Sequence, residues 1–316
     1  MFKIQADYPA ALAQQQTVTA LRKGLDANHS QQTLLGVTGA GKTYTIAQLI
    51  DQTQRPALIL APNKTLAAQL YGEMKGFFPE NSVEYFVSYY DYYQPEAYVP
   101  SSDTFIEKDA AINQYVEQMR LAATKAMSTR QDSIIVASVS AIYGLGDPEI
   151  YKDMALTLRQ GQRIGQRQLI RTLVDMQYKR SKIGLDRAQF RVHGDILDIY
   201  PAENEQQALR IHLFDDEIEK IELFDPFTGI VHTHCTTFQL FPKSHYVTPQ
   251  HRLGETVEKI KAEMKAQVAH FEDEGRFVEA QRIAQRCRYD IEMILELGYC
   301  NGIENYSRFL SGREAV

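Results

Sequence analysis

Eight consecutive residues, Gly36-Val37-Thr38-Gly39-Ala40-Gly41-Lys42-Thr43, fit G-x-x-x-x-G-K-[ST] at every fixed position. Each residue type has a task in holding phosphate. Glycines let the backbone curl without a Cβ clash, so successive N–H groups can turn toward one anion. A helix starting after the loop aims the positive end of its dipole at the same charge. Lys42 has the reach for β- and γ-phosphates, and the Thr43 hydroxyl can ligate Mg²⁺. The expected cofactors are therefore ATP and Mg²⁺, with Lys42 and Thr43 as the catalytic pair. The plainer alternative is a glycine-rich turn beside a surface lysine. A strand candidate before the loop and a helix candidate after it favour the phosphate reading.

Hydrolysis also needs a carboxylate pair to hold Mg²⁺ and position water. The one run resembling it is Asp215-Asp216-Glu217. Alternating segments on both sides make it an acidic hairpin turn rather than a metal site. The other unusual segment is Tyr85 to Pro100, with seven aromatics in sixteen residues. Pro95 and Pro100 exclude a continuous helix or central strand, so the expected shape is an exposed β-hairpin. Tyrosine faces stack on any base without reading sequence. Tyr89, Tyr90, Tyr92, Tyr93, Tyr98 and Phe105 are thus candidates for touching DNA. The competing reading is an aromatic interlock packed on the core, and composition alone favours neither.

These residues need a frame. Thr33-Leu34-Leu35 reads as a short strand into the loop, and Tyr44 to Gln52 as the helix after it. Ala57 to Ala61 is continuously apolar, the pattern of a strand buried on both faces. Lys64 to Phe77 reads as a helix, and Val83–Val87 and Ile134–Ala137 as further strands. Strands alternating with helices argue for a parallel α/β sheet. From Phe190 to Phe241 the runs shorten and alternate, which predicts an antiparallel β-rich insert. From Gly254 to Leu297 the spacing is helical, with Gly275 as a turn, which predicts a helical hairpin.

Composition is that of an ordinary globular chain: 316 residues, 44% hydrophobic and 23% charged, with net charge −6. Net acidity argues against coating nucleic acid by charge alone. A local patch remains open: Arg159, Arg163, Arg167, Arg171, Lys179, Arg180, Lys182, Arg187 and Arg191 cluster, either as a solvated face or as a basic docking surface. Cys235, Cys287 and Cys300 form no CxxC pair, consistent with free thiols. No apolar run approaches membrane-span length and no signal-type stretch opens the chain, so a cytoplasmic protein without a membrane partner is expected.

Taken together, these stretches resemble the UvrB family, the bacterial excinuclease B subunits. The resemblance rests on the phosphate loop, Ala61-Pro62-Asn63-Lys64-Thr65-Leu66-Ala67, Tyr85 to Pro100, Ile106-Glu107-Lys108-Asp109, Val136 to Gly144, and Gly302-Ile303-Glu304-Asn305-Tyr306-Ser307-Arg308. It implies a P-loop NTPase (RecA/helicase-like) α/β fold with a protruding β-hairpin, a β-rich insert and a C-terminal helical hairpin. It further implies an ATP-binding subunit of nucleotide excision repair that verifies damage in double-stranded DNA. The hairpin would separate strands, the insert would dock the excinuclease A subunit through Arg180 and Arg191, and the C subunit would then be recruited. The family's glutamine and aromatic near adenine fall on Gln14 and Tyr8. Three departures stand out. Leu12-Ala13-Gln14-Gln15 replaces the usual Gly-Asp-Gln-Pro, and His193 replaces an arginine. The Asp-Glu-Ser-His motif and second lobe are absent, so the chain is expected to be a fragment that hydrolyses ATP poorly alone.

The domain layout implied is 1–88 and 113–158 for the P-loop domain, 89–112 for the hairpin, 159–249 for the insert and 250–316 for the helical hairpin. Two other functions compete. A non-catalytic docking module like that of transcription–repair coupling proteins would lack the phosphate loop and tyrosine hairpin, both intact here. A small-molecule P-loop kinase would have no use for the hairpin or the insert.

Overall fold

The computed structural model describes residues 1–313 apart from Glu96, Asp103, Glu107, Lys108 and Tyr143; the side chains of Pro100, Phe105, Ala110, Gln250 and His251 are also outside the described set. The chain divides into two compact units, residues 1–89 with 113–143, and residues 90–112 with 144–316. Among the described residues no helix is long and apolar enough to cross a membrane.

The first unit holds α1 (Leu12–Asp26), α2 (Lys42–Thr53), β1 (Ala57–Leu60), α3 (Lys64–Phe77), β2 (Ser82–Phe86), α4 (Gln114–Thr129) and, after the hairpin strands described below, β7 (Ser133–Ala137). β7 runs parallel between β1 and β2. One core joins Phe2, Ala47, Ile50, Met74, Phe78, Val83 and Ile134. A second joins Ala61, Ala67, Tyr85, Val87 and Val136. Asn63 caps α3 by accepting from Leu66 N at 2.9 Å, as a short polar side chain before a helix should.

Two expectations need correcting in this unit. β1 is not buried on both faces: Leu58 and Leu60, which alternate with Ala57 and Ile59, are exposed. Thr33–Leu35 is not a strand; it carries no ladder among the described residues, and a strand exists only through its pairing.

The second unit starts with the hairpin. β3 (Tyr90–Gln94) pairs antiparallel with β6 (Asp109–Ile112), and β4 (Ala97–Val99) with β5 (Thr104–Ile106). After α5 (Pro148–Asp153), β8 (Leu156–Arg159) and α6 (Gln166–Asp175) come β9 (Lys179–Arg180), β10 (Gln189–His193), β11 (Ile196–Ile199), β12 (Ala208–Phe214), β13 (Glu217–Phe224), β14 (Val231–Cys235) and β15 (Thr237–Leu240). Six of them form a sheet ordered β14-β13-β12-β11-β10-β9, while β15 pairs with β8. Alternation decides its faces: Leu209, Ile211 and Leu213 are buried, while Arg210 and His212 point the other way. Asp215 and Asp216 form the two-residue β12–β13 loop, with Asp215 at φ 52°. This is the acidic turn read from the sequence, since a short turn between twisted strands favours positive φ and aspartate tolerates it.

α7 (Gln250–Asp273) and α8 (Phe277–Leu297) form the helical hairpin, followed by α9 (Ser307–Ser311). The turn passes through Gly275 at φ 74°. The expected stripes meet in one core, with Leu253, Val257 and Ile260 against Ile291 and Ile294.

Candidate nucleotide and nucleic-acid sites

In the first unit the phosphate loop leads directly into α2. Gly39 and Gly41 have φ of +81° and +71°, where a side chain is strained, so glycine is required for this curl. The helix N-terminus has no side-chain cap and no acid in its first turn, which leaves its N–H groups open to an anion. Lys42 reaches back over the loop, its Nζ donating to Gly36 O at 3.0 Å and Val37 O at 2.9 Å. Residues 36–40 and Lys42 are exposed and Thr43 is half-buried. This donor-rich loop could hold phosphate, with Val37, Thr38 and Ala40 offering backbone and Thr43 a hydroxyl.

Gln14 and Tyr8 stand at the same end of this unit. Gln14 Oε1 accepts from Ala11 N at 3.0 Å and Nε2 donates to Ala40 O at 3.3 Å. A Cβ added to Gly41 would lie 2.5 Å from that Nε2, so the glutamine packs directly on the loop. Tyr8 is exposed, with its ring edge-on to Tyr44 at 6.4 Å and its carbonyl accepting from Tyr44 Oη at 3.0 Å. An aromatic face is thus available beside the first turn of α2.

The tyrosine string divides in the structure. Tyr85, Phe86 and Val87 are buried, while Tyr92 and Tyr93 are 49% and 45% exposed. The packed reading therefore holds for the first part of the string, and the later tyrosines are exposed. At the boundary Tyr89 is fixed by backbone and ring: its carbonyl accepts from Asn113 N at 2.7 Å, and the Arg120 guanidinium stands 4.9 Å from its ring. Arg120 is a buried cation that sequence reasoning missed. It also covers the Phe86 ring at 4.1 Å and donates to Val87 O at 2.7 Å. An isolated arginine in a helix carries no signal for this; its burial follows from long-range packing.

In the second unit Tyr90 donates from its hydroxyl to Glu304, and its ring lies 5.3 Å from that of Tyr93. Tyr93 and Tyr98 line a cavity of about 380 Å³ with Arg282, Arg286 and Tyr306. Tyr90 lines a neighbouring one of about 340 Å³ with Arg286 and Tyr289. The Phe105 side chain lies outside the described residues. Tyr306 donates to Asp290 at 2.9 Å, and burial, more than the nearby Asp290 charge, holds its hydroxyl far above the usual tyrosine range.

Arg180 is exposed on β9, as are Arg163, Arg167, Arg171, Lys179 and Lys182. Two members of the basic cluster are engaged internally. Arg187 donates to Ala202 O at 2.7 Å. Arg191 clasps the buried Asp198, with Nε at 3.0 Å and Nη2 at 2.9 Å.

Comparison with known proteins matches this arrangement along its length. Residues 156–246 match the model of the UvrB interaction domain and residues 251–312 that of the UvrB third helical domain. Residues 8–154 match the model of the type III restriction enzyme res subunit. The chain is 59% identical over 315 residues to UvrABC system protein B of Legionella pneumophila (strain Corby), covering 100% of this chain and 48% of the relative. It is 60% identical over 312 residues to the Pseudomonas aeruginosa protein of that name, covering 99% and 47%. The Vibrio vulnificus (strain YJ016) protein is 57% identical over 314 residues, covering 99% and 46%. The chain thus spans about half the length of the curated relatives it matches. Similar to these relatives along its own whole length, and matching two UvrB domain models in succession, the chain belongs to the UvrB family.

Proposed function

We propose that this chain is the nucleotide-binding, DNA-probing part of a nucleotide excision repair subunit. The observation that carries the reading is the division of the tyrosine string. A strand that buries Tyr85 and Phe86 continues into a two-stranded hairpin that exposes Tyr92 and Tyr93. Two adjacent exposed tyrosines offer stacking worth roughly 1–3 kcal/mol per base with no sequence preference. That suits a wedge that tests damaged double-stranded DNA for weakened pairing. Tyr89 and Tyr90 set the base of the wedge, and Tyr98 and Phe105 belong to its strands.

The phosphate loop supports ATP binding by Gly36 to Thr43, with Gln14 and Tyr8 toward the base and Thr43 toward Mg²⁺. Nucleotide and metal, when bound, would supply the anionic phosphates and the cation that this loop and Thr43 are suited to hold. The Asp215-Asp216-Glu217 run forms a turn in the other unit's sheet. As a hairpin turn it is not the carboxylate pair that hydrolysis needs, so turnover by this chain alone should be slow. Steady ATP hydrolysis that Lys42→Ala removes would refute that expectation.

In this reading the insert docks the A subunit through its basic face, including Arg180, before the C subunit acts. The alternative, a docking module without nucleotide or strand handling, leaves the formed loop and exposed tyrosines unexplained. The test is fluorescence anisotropy on DNA bearing a bulky lesion, with and without the A subunit. Loading that depends on the A subunit and falls at least tenfold in Tyr92→Ala/Tyr93→Ala is expected, as ~1.4 kcal/mol lost would give. Equal loading by the variant would return both tyrosines to a packing role.

A further inference from the structure

Residues 159–182 carry seven cations and one acid, Asp175. That segment is therefore +6 in a chain of net −6, and the other 292 residues sum to −12. α6 lies at the centre of the run. Its Leu169 and Leu173 are fully buried, one turn apart. Arg167, Gln168 and Arg171 stand exposed on the same helix, and Arg163 is exposed on the segment leading into it. Val174 is the one exposed apolar side chain of α6.

Cations in the insert fall into two groups. On the sheet, Arg191 and Arg210 both clasp the buried Asp198, and Arg187 is tied to Ala202 O. Among the described residues, Arg163, Arg167 and Arg171 form no ion pair at all. Asp175 stands four residues after Arg171 without pairing to it. Asp216 packs beside Gly165 at the helix start, where the dipole favours a carboxylate, and pairs with none of the three. Like charges at i and i+4 weaken a helix by ~0.2–0.5 kcal/mol. No carboxylate of the insert relieves that repulsion between Arg167 and Arg171, and a bound anion would.

We propose that Arg163, Arg167 and Arg171 form a contact for the phosphate backbone of duplex DNA, on the helix of the insert. This goes beyond the hairpin reading above and rests on it only for DNA as the ligand. It also separates these arginines from Arg180 on β9, which the docking reading uses. Three features favour a polyanion over a protein. The stripe is of one sign. It offers a single apolar side chain, where a protein interface needs an apolar centre. Each of its cations is a guanidinium, whose planar fork takes two phosphate oxygens. Arg167 and Arg171 are ~6 Å apart along the helix. A duplex strand carries a phosphate every ~3.4 Å of axis, so each arginine can meet a different phosphate. Gln168 beside them can donate to the backbone without reading sequence.

The test is the salt dependence of binding between the whole chain and an undamaged duplex, followed by fluorescence anisotropy from roughly 20 to 200 mM salt. Each phosphate contact adds about 0.9 to the slope of log affinity against log salt. Arg167→Gln/Arg171→Gln should therefore lower the slope by about 1.8 and bind about tenfold more weakly at low salt. Both side chains are exposed and unpaired, so the melting temperature should not move. Arg163→Gln, outside the helix, should lower the slope by about 0.9 and gives the same reading without touching α6. Stacking releases no condensed ions, so Tyr92→Ala/Tyr93→Ala should weaken binding with the slope unchanged. A wild-type slope in both arginine variants overturns the proposal and leaves the hairpin reading standing. So does loss of A-subunit binding in the arginine variants with the DNA slope intact, which would assign the stripe to protein. Failure of the wild-type chain to bind duplex at the lowest salt overturns the proposal too, while the hairpin reading is judged by its own loading assay.

Discussion

Replacing Asp198 by asparagine should destabilise the second unit by about 3 kcal/mol. Asp198 is sealed under two guanidinium groups and receives four N–H contacts of 2.7–3.0 Å from Arg191 and Arg210. Asparagine keeps the shape and one acceptor oxygen, but its amide then faces arginine donors, so donor meets donor. Hydrogen bonds to charged groups contribute roughly 1.5–3 kcal/mol each, and losing two or more would exceed 3 kcal/mol without relaxation. Arg191 and Arg210 are 22% and 23% exposed and can partly rehydrate, which returns some of that. For a unit of this size ~3 kcal/mol lowers the melting temperature by roughly 6–12 °C. The chain has no tryptophan, so calorimetry or circular dichroism is the suitable assay. Arg191→Ala should produce a smaller fall of the same kind, because it removes only that arginine's share of the contacts. A fall below about 2 °C in Asp198→Asn would refute the reasoning, and would leave Arg191 as a surface residue kept for a partner alone.

Gly41→Ala should abolish binding of a fluorescent ATP analogue, because φ +71° costs a side chain about 1–2 kcal/mol and its Cβ would sit 2.5 Å from Gln14 Nε2. Unchanged binding in Gly41→Ala would show that the strain is unimportant and that the Gln14 amide swings aside. Arg120→Ala should destabilise the first unit by about 3 kcal/mol, from a lost hydrogen bond to Val87 O and two cation–ring contacts, and expose Tyr89 to chymotrypsin. An unchanged digestion pattern would count against Arg120 fixing that segment. The bonds from Arg130, with help from Asn81, hold the Asp132 carboxyl well below the usual carboxylate range. A depressed folded-state pKa stabilises the fold above the ordinary value near ~3.9 and loses that contribution as pH falls below it. Asp132→Asn should therefore lower stability at pH 7 and flatten its loss in acid titration; parallel acid curves for variant and wild type would refute this.

Much of the molecule was legible because short-range physics fixes it. The phosphate loop needs glycine where φ is positive, a lysine of sufficient reach and a helix just behind, and all three are adjacent in the chain. The two-helix turn at Gly275, the Asp215-Asp216 loop and the alternation along β12 are local for the same reason. Prolines at 95 and 100 excluded a helix through the tyrosines, which left a hairpin.

What the sequence by itself determined is this set of local elements and the loop chemistry. Tertiary structure decided which tyrosines are core and which are exposed, because burial depends on what packs on a strand and composition does not carry that. It left one face of β1 exposed, since an apolar run reads the same whether one face or two are covered. It engaged Arg191 with Asp198 and buried Arg120 against Phe86, as ion pairs and ring contacts form between residues brought together only by strand register and helix packing. The line Arg191, Asp198, Arg210, Glu222 and His234 is the clearest case: its residues are scattered over more than forty positions, and only pairing across five strands brings them together.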